Sequence, residues 1–164
     1  MTDTAPAQVG QTARRTVYGS FTIDRTLDAA PSRVFAAFAD PAQKAQWFGV
    51  SDDWDMLEVS LDFRVGGEEV NHGRHVSGMV SRMWAQYHDI VPDERIVWTY
   101  RMTLNDAPIS VSLASVELTP AGTGTRMVLT EHDAFLDDFQ DNGGREHGTN
   151  DILDMLVAFL ARNA

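Results

Sequence analysis

The sequence contains no cysteine, so neither a disulfide nor a thiolate metal ligand can contribute to its fold or chemistry. A chain of 164 residues does not need such links. One domain of about this length buries roughly 70% of the surface that its unfolded chain exposes. The lack of cysteine is also typical of a reducing compartment. We therefore expect one domain with an apolar core, located in the cytoplasm.

Basic residues are scarce as well. Lys and Arg together number 13 against 24 Asp and Glu, a formal net charge of −11 at pH 7. A surface with this charge repels phosphate backbones and anionic lipids, which argues against nucleic acid as a partner. The N-terminal residues 1–16 contain no apolar stretch of the length expected for a signal peptide or a membrane span. We expect residues 1–15 to form a flexible tail and residues 16–164 to form the domain.

Alternation of apolar and polar residues predicts a strand over Tyr18–Leu27. Two short helices should follow, beginning at Pro31 and Pro41, because proline is favoured in a first helical turn. Gly49 is the expected end of the second helix. Further strands are predicted over Met56–Phe63, Glu68–Gly73, Val76–Ile90, Arg95–Leu104, Ile109–Leu118 and Thr125–Phe135.

The last segment, Gly144–Arg162, has the period of a helix. Its apolar stripe consists of Ile152, Leu153, Leu156, Phe159 and Leu160. A helix that follows hairpin-linked strands must bury such a stripe on their sheet, because no other element is available. The predicted fold is therefore α+β, with a curved antiparallel sheet around a long C-terminal helix, two short helices after the first strand, and a hollow interior.

Several short motifs occur in order along the chain. They are Asp28-Ala29-Ala30-Pro31 with Val34-Phe35, Asp40-Pro41, Trp47-Phe48-Gly49, Phe63, Gly66-Gly67, the run from Asp89 to Val97, Thr130-Glu131-His132 and the run from Arg145 to Thr149. Together they resemble bacterial members of the AHSA-type (activator of heat-shock ATPase homologue) branch of the START-like, or SRPBCC, superfamily. The resemblance covers residues 16–160. It implies a helix-grip fold that holds a lipid, polyketide or flavonoid-like molecule between sheet and helix, without the co-chaperone role of larger proteins that carry an additional domain.

Aromatic side chains with a polar edge are typical of ligand grooves. In the fifth strand, one face carries Ile96, Trp98, Tyr100 and Met102, and we expect this face to point inward. The predicted ligand-binding residues are Trp47, Phe48, Trp84, Trp98, Tyr100, Met127, Leu129, Glu131, Phe135, Leu153 and Leu156. The alternative for each aromatic residue is a purely structural place in the core.

Glu131 is the most notable ionisable residue, since it shares strand parity with Leu129 and Phe135 on the apolar side of the sheet. Burial would raise its pKa unless a cation or donor paired with it. There it would orient a hydroxylated ligand, act as a general base, or form a structural ion pair with an arginine. The catalytic candidates are Glu131 and His147, the latter in the first turn of the last helix.

The five histidines show no metal-binding spacing, so we predict neither a metal nor another cofactor. The main prediction is a domain that binds a small hydrophobic molecule and is non-enzymatic or weakly catalytic. One alternative is an enzyme, a cyclase, hydrolase or isomerase that uses the same cavity. The other is a protein-interaction or stress-response module, which predicts a filled core and an exposed apolar patch. A homodimer is compatible with all three.

Overall fold

The computed structural model of the protein describes residues 14–49, 51–137 and 139–162. Most of the predicted N-terminal tail lies outside these residues. In chain order the elements are β1 (Thr16–Leu27), α1 (Pro31–Ala39), α2 (Pro41–Lys44), β2 (Trp54–Leu61), β3 (Glu68–His75), β4 (Val80–Val91), β5 (Arg95–Leu104), β6 (Ala107–Ala121), β7 (Gly124–Leu136) and α3 (Gly144–Arg162). This order confirms the predicted succession of strands and helices.

The seven strands form one antiparallel sheet in the order β1-β7-β6-β5-β4-β3-β2. Its register shifts between Met56 and Glu58, between Tyr87 and Asp89, and between Met102 and Thr103. Such irregularities bend a strand and increase its twist, which helps a sheet to curve. The curved sheet, the long helix α3 and the two short helices after β1 confirm the predicted helix-grip architecture.

The two short helices begin as the sequence predicts, but the second ends early. Pro31 and Pro41 each occupy the first turn, where the missing N–H group costs no hydrogen bond. The Asp40 carboxylate caps α2 by accepting from the N–H group of Ala42 at 2.8 Å. The helix ends at Lys44 rather than near Gly49, and the chain continues in turns up to that glycine.

The predicted strand Val76–Ile90 is wrong at its start, because a hairpin turn occupies the first residues. β3 continues to His75, whose N–H group donates to the carbonyl of Met79 at 2.8 Å. Gly78 has a φ of +89°, a conformation that favours glycine, and β4 begins only at Val80. The apolar Val76 imitates the period of a strand although its side chain is exposed.

The core occupies one end of the space between sheet and helix. The second half of α3 buries Leu156, Phe159 and Leu160 against α1 and the inner face of the sheet. The same core includes the buried residues Ile23, Leu27, Val34, Ala37, Phe38, Val116, Leu118, Met127 and Leu129. The first half of α3 faces a space that side chains do not fill.

Candidate functional site

A cavity of about 780 Å³ lies between the first half of α3 and the inner face of the sheet. Trp47 and Phe48, in the turns after α2, form part of its wall. Trp47 is fully buried, and its indole Nε1–H group donates to the carbonyl of Ala37 at 2.9 Å. This hydrogen bond fixes the ring against α1, so that part of the wall is rigid.

Most of the wall is apolar. The inner face of β5 contributes Ile96, Trp98, Tyr100 and Met102, which confirms the predicted direction of this face. Other apolar side chains on the wall are Trp54, Met56, Phe63, Met83, Leu104, Ile109, Leu129, Ile152, Leu153 and Met155. Cavities of this size and composition are typical of sites for small molecules.

A group of buried polar side chains interrupts the apolar wall. We call it the Arg145 cluster; it consists of Tyr100, Ser110, Ser112, Glu131, Asp133 and Arg145. The strand register assembles most of it, because Tyr100 on β5 pairs with Ser112 on β6, which in turn pairs with Asp133 on β7. All three residues fall on the inner face of the sheet, so their side chains form one polar row.

Arg145 reaches this row from the first turn of α3. Its Nη1 donates to the Tyr100 hydroxyl at 2.7 Å and to Ser112 Oγ at 3.0 Å. The same nitrogen lies 3.4 Å from Glu131 Oε1 and 3.3 Å from Asp133 Oδ1. The Tyr100 hydroxyl donates to Glu131 Oε1, and Ser112 Oγ donates to Asp133 Oδ1 at 2.5 Å. One guanidinium group therefore serves two buried carboxyl groups.

Burial dominates the electrostatics of Glu131. Desolvation raises its pKa from 4.5 to about 7, because the hydrogen bond from Tyr100 and the charge of Arg145 offset only part of the effect. The neighbouring Asp133 contributes to the rise. Burial and the charge of Glu131 likewise raise the pKa of the Tyr100 hydroxyl. Glu131 thus gains and loses its proton near neutral pH.

A second polar group, the Lys44 cluster, consists of Lys44, Glu69, Asn71 and Tyr87, all of which line the cavity. Glu69 Oε2 accepts from Lys44 Nζ at 2.6 Å and from the Tyr87 hydroxyl at 2.5 Å. Its other oxygen accepts from Asn71 Nδ2 at 2.8 Å. Burial and the Glu69 charge raise the pKa of the Tyr87 hydroxyl, so it stays protonated as a donor.

Seven of the eleven residues predicted to bind a ligand lie on the cavity wall, namely Trp47, Phe48, Trp98, Tyr100, Leu129, Glu131 and Leu153. Met127 and Leu156 are instead buried within the core. Phe135 is buried beside the Arg145 guanidinium, with 5.6 Å between the ring centroid and Cζ. These three residues support the cavity from behind.

Trp84 and His147 lie away from the cavity, contrary to the expectation from the sequence. Trp84 alternates along β4 with Met83, which faces inward, so the indole ring falls on the outer face between the guanidinium groups of Arg82 and Arg101. The side chain of His147 is 81% exposed and lies 3.6 Å from Asp151 Oδ2. The structure therefore does not bring His147 together with the buried Glu131.

Several wall residues were not singled out from the sequence as ligand-binding candidates, including Lys44, Glu69 and Arg145. Asp133, behind the wall, was also overlooked, although it shares the parity of Glu131. Glu69 lies on a strand with too few apolar residues to reveal which face is buried. Lys44 gives no local signal, because its partner Glu69 is distant in sequence.

No set of three or more His, Cys, Asp or Glu side chains among the described residues is placed to hold a metal ion. No described helix is long and apolar enough to cross a membrane.

A curved antiparallel sheet closed by a C-terminal helix over an internal cavity defines a helix-grip protein. Residues 28–161 match the family described as activator of Hsp90 ATPase homolog 1-like protein, and the chain belongs to this family. The resemblance drawn from the motifs is thereby confirmed. No curated protein matches the chain.

Solved structures of similar proteins extend over nearly the whole chain. A protein from Rhizobium leguminosarum is 42% identical, with a TM-score of 0.89, over 92% of this chain and 99% of that one. The Mll3558 protein from Rhizobium loti is 46% identical, with a TM-score of 0.82, over 88% of this chain and 99% of that one. An AHSA1-like protein from Aeromonas hydrophila shares the fold at 18% identity, with a TM-score of 0.66, over 88% of this chain and 94% of that one.

Proposed function

We propose that the protein binds a small hydrophobic molecule in the cavity between the sheet and α3. The observation that carries this proposal is an internal space of about 780 Å³ with a largely aromatic and aliphatic wall. Binding sites for small molecules commonly have volumes of roughly 300–1,000 Å³. A lipid, polyketide or flavonoid-like molecule is the class that the family resemblance implies.

Burial of apolar surface would drive this binding. A ligand that removed roughly 300 Å² of apolar surface from water would gain roughly 7 kcal/mol before its ordering costs. The two polar clusters then offer hydrogen bonds at fixed places on the wall, which orient a ligand more than they attract it. The pre-formed Trp47 wall supports binding too, since a rigid site loses less conformational entropy.

An enzyme that uses the same cavity is the second candidate, and one observation favours it. The pKa of Glu131, about 7, suits a group that transfers protons near neutral pH. The partner nominated from the sequence, His147, is exposed outside the cavity. A reaction would therefore have to pair Glu131 with another wall residue, and Tyr100 is the nearest candidate.

An interaction module without ligand would require a filled core, which the cavity opposes. Cytoplasmic location stays a prediction from the sequence.

Native mass spectrometry of the purified protein tests binding directly. We expect a stoichiometric apolar molecule to accompany the protein and to be identified after extraction. Trp98→Ala, which opens the cavity wall, should lose this molecule. Trp84→Ala is the matched control, because it removes an indole ring from the outer face and should retain the molecule. Equal occupancy in both folded variants would contradict the proposal.

A further inference from the structure

The charges on the cavity wall restrict the chemistry of the ligand. Among the described residues, the Lys, Arg, Asp and Glu side chains on the wall are Lys44, Glu69, Glu131, Asp141, Arg145 and Asp151. Two cations thus face four carboxyl groups, and the buried Asp133 adds another behind the wall. Glu69 and Glu131 are buried, so little water screens their repulsion of the negative charge that an acidic ligand would bring, whereas the side chain of Asp151 is 58% exposed.

Both cations on the wall are already engaged. Lys44 Nζ donates to Glu69 Oε2 at 2.6 Å and lies 3.3 Å from the Tyr87 hydroxyl. It also lies 4.9 Å from the centroid of the Phe48 ring. The Lys44 charge is therefore balanced by a carboxylate whose side chain is only 5% exposed. A ligand carboxylate could recruit Lys44 only by leaving the buried Glu69 without its partner.

Arg145 is engaged more completely. Nη1 donates to Tyr100 and Ser112, while Nη2 donates to Ser110 Oγ at 2.8 Å. The guanidinium group compensates Glu131 and Asp133, so it acts as an internal counterion rather than an anion site. Arginine binds a ligand carboxylate best through two free parallel N–H groups, and these contacts occupy both terminal nitrogens.

Glu131 has an acceptor to spare. The hydrogen bonds from Tyr100 and Arg145 both end on Oε1. No donor among the described residues bonds to Oε2, although Glu131 lines the cavity. Oε2 is not one of the buried atoms without a partner, so solvent in the cavity reaches it, and a ligand hydroxyl group that donates to Oε2 takes the place of that solvent.

We infer that the cavity selects an uncharged apolar molecule that carries a hydroxyl group and donates it to Glu131 in the Arg145 cluster, and that it rejects the corresponding carboxylic acids. This inference rests on the proposed binding function and narrows its ligand class. Fatty acids, which a purely apolar cavity would also accept, are excluded by the carboxyl groups on the wall. A neutral alcohol or phenol packs its apolar part against the wall and donates its hydroxyl group to Glu131 Oε2.

Three probes with the same number of carbon atoms separate the effect of a hydrogen-bond donor from the effect of a negative charge. Of these, 1-decanol donates a hydrogen bond, 2-decanone only accepts one, and decanoate carries a charge. Each is titrated into the full-length protein by calorimetry at pH 8, where Glu131 is ionised because its pKa is about 7. We expect 1-decanol to bind at least about tenfold more tightly than decanoate, with 2-decanone between them. Decanoate binding as tightly as 1-decanol, or more tightly, would overturn the inference and leave the proposed function standing. Failure of all three probes to bind would overturn the proposed function itself.

The variant Glu131→Gln tests the residue assignment. Removing its charge should reduce the preference for 1-decanol over decanoate by at least about threefold and should strengthen 2-decanone, since the amide can donate. Glu117→Gln is the matched control, because Glu117 is exposed on β6 and is not on the cavity wall. An unchanged preference in a folded Glu131→Gln protein would overturn the role of Glu131, while the three probes on the unaltered protein test the charge selectivity independently.

Discussion

Glu131 should make the stability of this protein depend on pH in a direction opposite to that of an ordinary paired carboxylate. Its pKa in the folded protein is about 7, against 4.5 for an ordinary glutamate. Between these pH values the folded protein keeps a proton that the unfolded chain has released. Rising pH therefore favours unfolding through this group. Its contribution is fully present below about pH 4.5 and is lost as the pH rises through about 7.

The magnitude follows from the pKa difference. At about 1.4 kcal/mol for each pKa unit, Glu131 contributes about 3 kcal/mol at low pH, most of which disappears between pH 5 and pH 8. The perturbation is Glu131→Gln, which keeps the shape of the side chain but cannot titrate. Relative to this variant, the unaltered protein should lose about 2–3 kcal/mol of unfolding free energy over the same pH interval.

Urea unfolding followed by tryptophan fluorescence at pH 5 and pH 8 measures the effect in both proteins. Using the difference between them cancels the titration of all other groups that the substitution leaves unchanged. The surface variant Glu117→Gln is the control for the loss of a glutamate charge outside the buried site. A constant difference for Glu131→Gln, or one of opposite sign, would show that Arg145 holds the Glu131 pKa at or below its ordinary value and would refute the reasoning.

Two further predictions concern the stability of the folded protein. Arg145→Met leaves two buried carboxyl groups without their cation, so thermal unfolding should show a loss of about 3 kcal/mol, or roughly 6–12 °C in Tm. Arg126→Met breaks only an exposed ion pair and should cost less than about 1 kcal/mol; similar losses in both variants would contradict the role of burial. A Cβ at Gly124 would lie 2.1 Å from the Leu27 carbonyl oxygen, so Gly124→Ala should destabilise the domain by several kcal/mol (about 2–4) in urea unfolding. An unchanged free energy of unfolding in Gly124→Ala would contradict this prediction and show that β1 and β7 can move apart there.

The sequence predicted those elements whose signals are local. The bounds of β5 and α3 agree with the prediction, because each carries a long and regular apolar period. Prolines at the helix starts placed α1 and α2 correctly for the same reason, since proline acts on the turn that contains it. Glu131 was also recognised as a buried residue by its parity with apolar neighbours.

The alternation of apolar and polar residues predicted the irregular strands less well. In β2 the apolar Leu57 and Val59 are exposed, while Met56 lines the cavity. The register shift between Met56 and Glu58 alters the alternation of faces, and nothing in the local pattern reveals such a shift. The turn at Gly78 was missed because the valine before it continues the period of a strand.

The chemistry of the site depends on contacts between distant segments. Arg145 meets Ser110 and Tyr100 only after the sheet has set its register and α3 has packed on it. Lys44, the last residue of α2, contacts Glu69 on β3, which is 25 residues away in the sequence. A single sequence identifies such residues as charged, but their partners become evident only in three dimensions. The structure shows the contact with an arginine that the sequence left open for Glu131, and the role of Glu131 toward a ligand stays a prediction.

The central claim, that the cavity itself is the binding site, is tested most directly by filling it. Gly148 lies on the wall in α3, and a Cβ there would have no atom within 4 Å. Gly148→Leu should therefore fill part of the cavity with no clash at its Cβ and should favour the helix by about 1 kcal/mol. Ala161→Leu, at an exposed position of the same helix, is the control.

Calorimetric titration of 1-decanol into the unaltered protein and both variants is the measurement. We expect Gly148→Leu to unfold at the same temperature as the unaltered protein or above it, and to lose at least about tenfold in affinity, while Ala161→Leu binds as the unaltered protein does. If a folded Gly148→Leu protein bound 1-decanol as tightly as Ala161→Leu, the ligand would lie elsewhere and the claim would be wrong.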